Sequence, residues 1–189
     1  IRGIVNIINN RGGGTLYLPK GIYYIGSQIE FIKGNPYSRS AFQLLGSIEV
    51  CGDGDSSKLL FEMNLHPEVY SKTNAVMSGE IFSNITKSGH TSIAGDIKFH
   101  DFCIEYISPT VDAMYAMGES ISINRGRENY WMEPMNCNVY VYNMSFVKAY
   151  GGITVKATGV HTFYAENNRH IKSGCDIDRH VFDYNSYFI

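Results

Sequence analysis

VYNMSFVKAYGGITV at residues 141–155 and ENNRHIKSGCDI at 166–177 decide the fold of this chain when one is set over the other, with DYNSYF at 183–188 beneath them. Each carries an asparagine three residues before an apolar position: Asn143 before Phe146, Asn168 before Ile171 and Asn185 before Phe188. The first two are followed by a glycine and an alternating strand, Gly152-Ile153-Thr154-Val155 and Gly174-Cys175-Asp176-Ile177. The asparagine spacing is 25 residues and the glycine spacing 22. A unit this short cannot bury its own apolar side and must stack on a neighbour. The pattern predicts an all-β parallel β-helix, each coil supplying two or three short strands whose inward side chains pile on like residues of the next. Asn143, Asn168 and Asn185 are the expected hydrogen-bonded ladder that satisfies turn backbone along the stack.

Composition agrees. There are 21 Ile and 11 Val against 7 Leu and 8 Ala, the opposite of a helical protein's preference. Short β-runs recur from Thr15 to the C-terminus, and no long helix is predicted between them. Helical spacing is confined to the start, where Ile4, Val5, Ile7 and Ile8 precede Asn9-Asn10-Arg11 and three glycines. That predicts a short capping helix over residues 1–11. Two segments exceed the coil period, 62–95 and 108–136, and are read as loop insertions in a single domain spanning 1–189.

Several function classes lose support. Sixteen Lys plus Arg against eighteen Asp plus Glu, with no basic block, leave phosphate attraction without a source, so no nucleic-acid partner is expected. No apolar window approaches a membrane span. The four cysteines, Cys51, Cys103, Cys137 and Cys175, lack the C-x-x-C spacing of a zinc or redox site and read as buried thiols or as disulfides of a secreted parent. Gly52-Asp53-Gly54-Asp55 hints at calcium, but the remaining ligands of an EF-hand are missing, and a turn explains it better. No metal or other cofactor is expected. Asn84-Ile85-Thr86 and Asn143-Met144-Ser145 fit the glycosylation sequon.

GGGTLYLPKGIYYIG at 12–26, after an apolar helix and followed by IEVCGDGDSSKLLF at 48–61, resembles the opening coils of the pectin lyase-like right-handed parallel β-helix superfamily. The likeness covers about the first 60 residues and is specific for fold rather than chemistry, because the same opening precedes pectate lyases, polygalacturonase-like hydrolases and phage tailspikes. It implies a fragment cut at both ends, and an extracellular or virion-associated parent acting on a complex or acidic polysaccharide by hydrolysis or β-elimination. The alternative it implies is a non-catalytic glycan-binding or structural module such as a tail spike or adhesin, a homotrimer if tailspike-like. The superfamily's catalytic patterns do not carry over: Gly-His-Gly is absent, and the aspartates of Asp176-Ile177-Asp178 are separated rather than adjacent.

Two places are left for chemistry. With Cys175 and Ile177 inward, Asp176 and Asp178 share the outer face of one strand, their Cα atoms roughly 7 Å apart. Carboxyl groups so placed suit an acid protonating a glycosidic oxygen and a base activating water, and their proximity raises one pKa. His180 and Arg179 flank the pair, to tune it or to bind an acidic sugar. The glycine repeat sets Thr154 beside Asp176 and Lys156 beside Asp178. Read more plainly, the two aspartates are surface acids paired with Lys156 and Arg179. The second place is the loop holding Arg127, Tyr130 and Trp131, where a ring could stack on a sugar beside a guanidinium, or could pin the loop to the solenoid wall.

Overall fold

Leu16 and Leu18 are buried while Thr15 before them and Tyr17 between them are exposed, and that alternation makes the first strand, β1 (Gly13–Leu18). The computed structural model describes residues 1–25, 40–62, 80–86, 89–90, 94–107, 119–123, 136–148, 151–157, 160–171, 175–181 and 187–188. After Pro19-Lys20 the chain enters β2 (Gly21–Ile25), and β3 (Ser40–Gln43) completes one coil. The next coil is β4 (Ser47–Gly52), β5 (Ser57–Glu62) and β6 (Glu80–Ser83), followed by a small pair, β7 (Ile85–Thr86) and β8 (Gly89–His90). Then come β9 (Ala94–His100), β10 (Cys103–Ile107) and β11 (Glu119–Ile123). A fourth coil holds β12 (Asn136–Tyr142), β13 (Ser145–Val147) and β14 (Gly151–Ala157). The fifth holds β15 (Val160–Glu166), β16 (Arg169–Ile171) and β17 (Cys175–Val181), and β18 (Tyr187–Phe188) begins a sixth.

First, second and third strands of successive coils form three separate sheets, A (β1-β4-β9-β12-β15-β18), B (β2-β5-β10-β13-β16) and C (β3-β6-β11-β14-β17). Every pairing in them is parallel, and among the described residues only β7 with β8, outside the three sheets, is antiparallel. The fold is a parallel β-solenoid. In register, Ile48, Ile97, Val139 and Phe163 form one inward column of sheet A, and Leu16, Val50, Phe99 and Val141 another. Leu59, Ile104 and Phe146 do the same in sheet B, and Phe42, Phe82 and Ile121 in sheet C. These columns merge into one core. Each fully buried aliphatic or aromatic side chain in it contributes roughly 1.5–3 kcal/mol of transfer free energy, so a coil with four or five of them holds its neighbour firmly.

The helix, α1 (Arg2–Asn10), lies where predicted and packs on β1, β3 and β4. Val5 and Ile8 are buried over the open end of the core. The Asn9 amide donates to the Gln43 carbonyl at 2.8 Å and accepts from the Leu45 backbone N–H at 3.0 Å, pinning the helix to the chain between β3 and β4. Among the described residues no helix is long and apolar enough to cross a membrane.

The coil period needs correction. Register partners in the fourth and fifth coils are 24 residues apart, as in Val139 with Phe163, Phe146 with His170 and Ile153 with Ile177, against the expected 25 and 22. Earlier coils are longer: Gly13 pairs with Ser47, Ile48 with Ile97 and Ile97 with Val139. Within the stretches read as insertions lie strands of the solenoid itself, β6 in 62–95 and β11 in 108–136.

The asparagine ladder changes partners accordingly. Asp101, Asn143 and Asn167 have φ of 57°, 53° and 52°, each the first residue of a two-residue turn from sheet A to sheet B. The Asn167 amide donates to the Asn143 oxygen at 2.8 Å, and the Asn143 amide donates to Asp101 at 3.1 Å. Asn168, the expected rung, instead accepts from the Met144 N–H and donates to the Val141 carbonyl. Asn185 lies outside the described residues. Of the two sequon asparagines, Asn84 is buried and Asn143 is this rung.

Candidate functional site

The aspartate pair, the first expected site, falls on β17, the last strand of sheet C, which also carries Arg179 and His180. Pairing with β14 sets Thr154 beside Asp178, Val155 beside Arg179 and Lys156 beside His180. The expected register, with Thr154 beside Asp176 and Lys156 beside Asp178, is off by two residues, because strands stack at the 24-residue coil period and not at the spacing of the glycines. Lys156 and His180 are thus neighbours across the strands. Arg127, Tyr130 and Trp131 lie outside the described residues.

Sequence reasoning passed over the outer face of sheet A. Strict alternation in Asp96-Ile97-Lys98-Phe99-His100, Val139-Tyr140-Val141-Tyr142 and Phe163-Tyr164-Ala165-Glu166 sends one set of residues to the core and the other outward. Stacking then aligns the outward set in rows along the solenoid. One row is Tyr17, Cys51, His100, Tyr142 and Glu166, and the next is Thr15, Glu49, Lys98, Tyr140 and Tyr164. The signal was present in the alternation but needed the register to become a surface.

His100 is the centre of this face. Its Nδ1 lies 2.7 Å from Asp101 Oδ2 and its Nε2 3.3 Å from Glu49 Oε1, and its ring stacks on Tyr142 with centroids 4.6 Å apart and planes 5° from parallel. A neutral imidazole donates to one of those carboxylates and a protonated one to both. The Thr15 hydroxyl donates to Glu49 at 2.9 Å, and with His100 it holds the Glu49 carboxyl below the usual carboxylate range. Burial, with Asp101 and Glu49 nearby, pushes the Tyr142 phenol up and keeps it protonated. Tyr164 stands edge-on to Tyr142 and tilted to Tyr140, centroids 6.3 Å away in each case, and its hydroxyl donates to Glu166. Lys98 Nζ sits 5.5 Å above the centre of the Tyr140 ring and 3.3 Å from Asp96. The Asn138 amide donates to Asp96 at 3.0 Å.

The Gly-Asp-Gly-Asp run is a turn that staples coils together. Asp53 accepts from the Tyr17 hydroxyl at 2.6 Å and the Lys20 backbone N–H at 2.8 Å, which holds its carboxyl low. Asp55 accepts from the Ser145 hydroxyl at 2.6 Å and from Arg169, so one carboxylate of the second coil reaches the fourth and fifth. Among the described residues no three His, Cys, Asp or Glu side chains are grouped to hold a metal ion.

Fold and site together define a parallel β-solenoid that carries an aromatic and acidic strip along one sheet face. No family model matches the chain, and neither a curated protein nor a solved structure does.

Proposed function

We propose that this chain is a glycan-binding β-solenoid, part of a carbohydrate-active protein, and that it holds polysaccharide along the outer face of sheet A. The observation that carries the reading is the strip of Tyr17, His100, Tyr140, Tyr142 and Tyr164 set among Glu49, Asp96 and Glu166. Rings braced against each other lose little freedom on binding, and they supply apolar edges beside carboxylates that accept from sugar hydroxyls. The likeness of the opening coils to the pectin lyase-like superfamily supports the same class of ligand. Affinity electrophoresis of the full chain through a panel of polysaccharide gels is the test. Retardation by at least one glycan is expected, and unaltered mobility on every gel would remove the proposal.

A second reading is cleavage of an acidic polysaccharide at sheet C, as a glycoside hydrolase or a polysaccharide lyase. It is favoured by two carboxylates at alternate positions of β17, Asp176 and Asp178, with Lys156 next to His180 across the strands and Arg179 on the same strand. Under this reading the aspartates divide acid and base with His180 in the catalytic group beside them, while Lys156 and Arg179 bind the acid group of the sugar. Reducing ends released from polygalacturonate should fall at least 100-fold with Asp176→Asn or Asp178→Asn; release indifferent to both places the chemistry elsewhere. Arg127, Tyr130 and Trp131 belong to this proposal as sugar-stacking and hydroxyl-binding groups. An extracellular or virion-associated location and a trimeric assembly accompany the two readings as expectations from the resemblance, testable by fractionation and by light scattering.

A further inference from the structure

We infer that the sheet A strip selects a neutral, hydroxyl-rich glycan chain and excludes acidic polysaccharides, an inference that rests on glycan binding by this face. Among the described residues, the strip holds Glu49, Asp96, Asp101 and Glu166 against Lys98 and His100. The whole chain, by contrast, carries a net charge of only −2. The excess negative charge is concentrated where the rings are.

Its basic groups are already committed. Lys98 lies against Asp96 and over the Tyr140 ring, and the two His100 nitrogens face Glu49 and Asp101. A uronate or sulfate group arriving here would meet carboxylates with no described basic group of the strip turned to it alone, and would displace one of these contacts to gain another. A sugar hydroxyl, by contrast, finds what it needs, because ionised carboxylates accept and never donate. Glu49, Asp96 and Asp101 are each more than a third exposed. They are also held by Thr15, Asn138 and Asn143 respectively, so their oxygens are fixed before a ligand arrives.

Direction follows from the register. Rows run along the solenoid axis, and from β4 through β9 and β12 to β15 they extend about 14 Å at the usual spacing between strands. The ligand is therefore a chain lying lengthwise across the strands, not a single sugar in a pit.

The experiment uses the full chain in affinity gels containing a neutral glucan, a neutral mannan, polygalacturonate or chitosan, with Tyr140→Ala and the double variant Asp96→Asn with Glu166→Lys, each checked for native circular dichroism. Retention by a neutral glycan is expected, at least fivefold weaker in Tyr140→Ala, together with binding to polygalacturonate at least tenfold weaker than to the neutral chain. The double variant should narrow that gap. Polygalacturonate binding as strong as neutral binding and equally sensitive to Tyr140→Ala would overturn the inference while leaving glycan binding by this face intact. So would retention by chitosan alone, which would mean bare charge attraction. Polygalacturonate as the sole ligand, insensitive to Tyr140→Ala, would overturn it as well. Failure to bind any gel would remove the underlying reading along with the inference.

Discussion

Gly52 is glycine because of what stands beside it. A Cβ there would lie 2.7 Å from the Ser57 Cβ and 2.9 Å from the Asp101 carbonyl oxygen. Ser57 is itself fixed, its hydroxyl donating to the Leu18 carbonyl and accepting from the Asp53 N–H. Gly52→Ala should therefore cost about 1–3 kcal/mol, read as a lower urea midpoint with unchanged slope; a neutral result would mean the turn yields easily. Asp55 shows a second kind of constraint. The Ser145 hydroxyl, then Arg169, holds its carboxyl below the usual range, as Thr15 does for Glu49 and Tyr17 for Asp53. With folded pKa values depressed, the unfolded chain binds more protons in acid. The stabilisation is then present above the unfolded values near about 4 and lost as pH falls through the folded ones. Urea midpoints should drop between pH 6 and pH 3, and Asp55→Asn should lower the midpoint at pH 6 while flattening that drop. A variant with the wild-type slope would show that Asp55 contributes nothing to the acid sensitivity.

At the level of the element, the turn from sheet A to sheet B is built on residues that tolerate a left-handed backbone. Asp101, Asn143 and Asn167 occupy it in successive coils, and Asn and Asp accept positive φ better than other side chains because they bond locally. Asn143→Ala loses both ladder hydrogen bonds and adds backbone strain, whereas Asn143→Gly loses only the bonds. The difference in unfolding free energy between the two variants should be about 1–2 kcal/mol in favour of glycine; equal stabilities would mean the turn relaxes out of that region. This element shows how far the sequence could be read. An asparagine turn was legible, but Asn167 and Asn168 are adjacent, and only their places in the turn separate the rung from the residue behind it. Choosing the wrong one moved the apparent period from 24 to 25. The turn between β9 and β10 at Asp101 was equally hidden, since the apolar stretch Phe102-Cys103-Ile104 begins directly after it and Phe102, within the turn, is buried.

For the whole molecule, the capping helix follows from helical spacing and the parallel stacking with its inward columns from alternation and repeat, while the choice of three strands per coil over two came only with the structure. The face of sheet A follows from none of these, because Tyr17 and Glu166 become row-mates only once five strands are stacked. Burial has a further consequence across the molecule: it pushes the Cys103 thiol up to about 11 and the Cys137 thiol up to about 12. At pH 8 neither should react with a thiol reagent until urea unfolds the chain, and Cys103→Ser and Cys137→Ser should each remove one of the late-reacting thiols. Prompt reaction of either in the native protein would mean that the core opens there.

The stacking of coils is tested most directly by pulsed electron spin resonance between nitroxide-bearing residues introduced at positions 17 and 166. These positions are far apart in sequence but occupy one row, four strand spacings from end to end. Four spacings predict a single narrow distribution centred near about 20 Å. A broad distribution, or one centred beyond about 30 Å, would contradict the solenoid and with it the surface on which the proposed glycan binding depends.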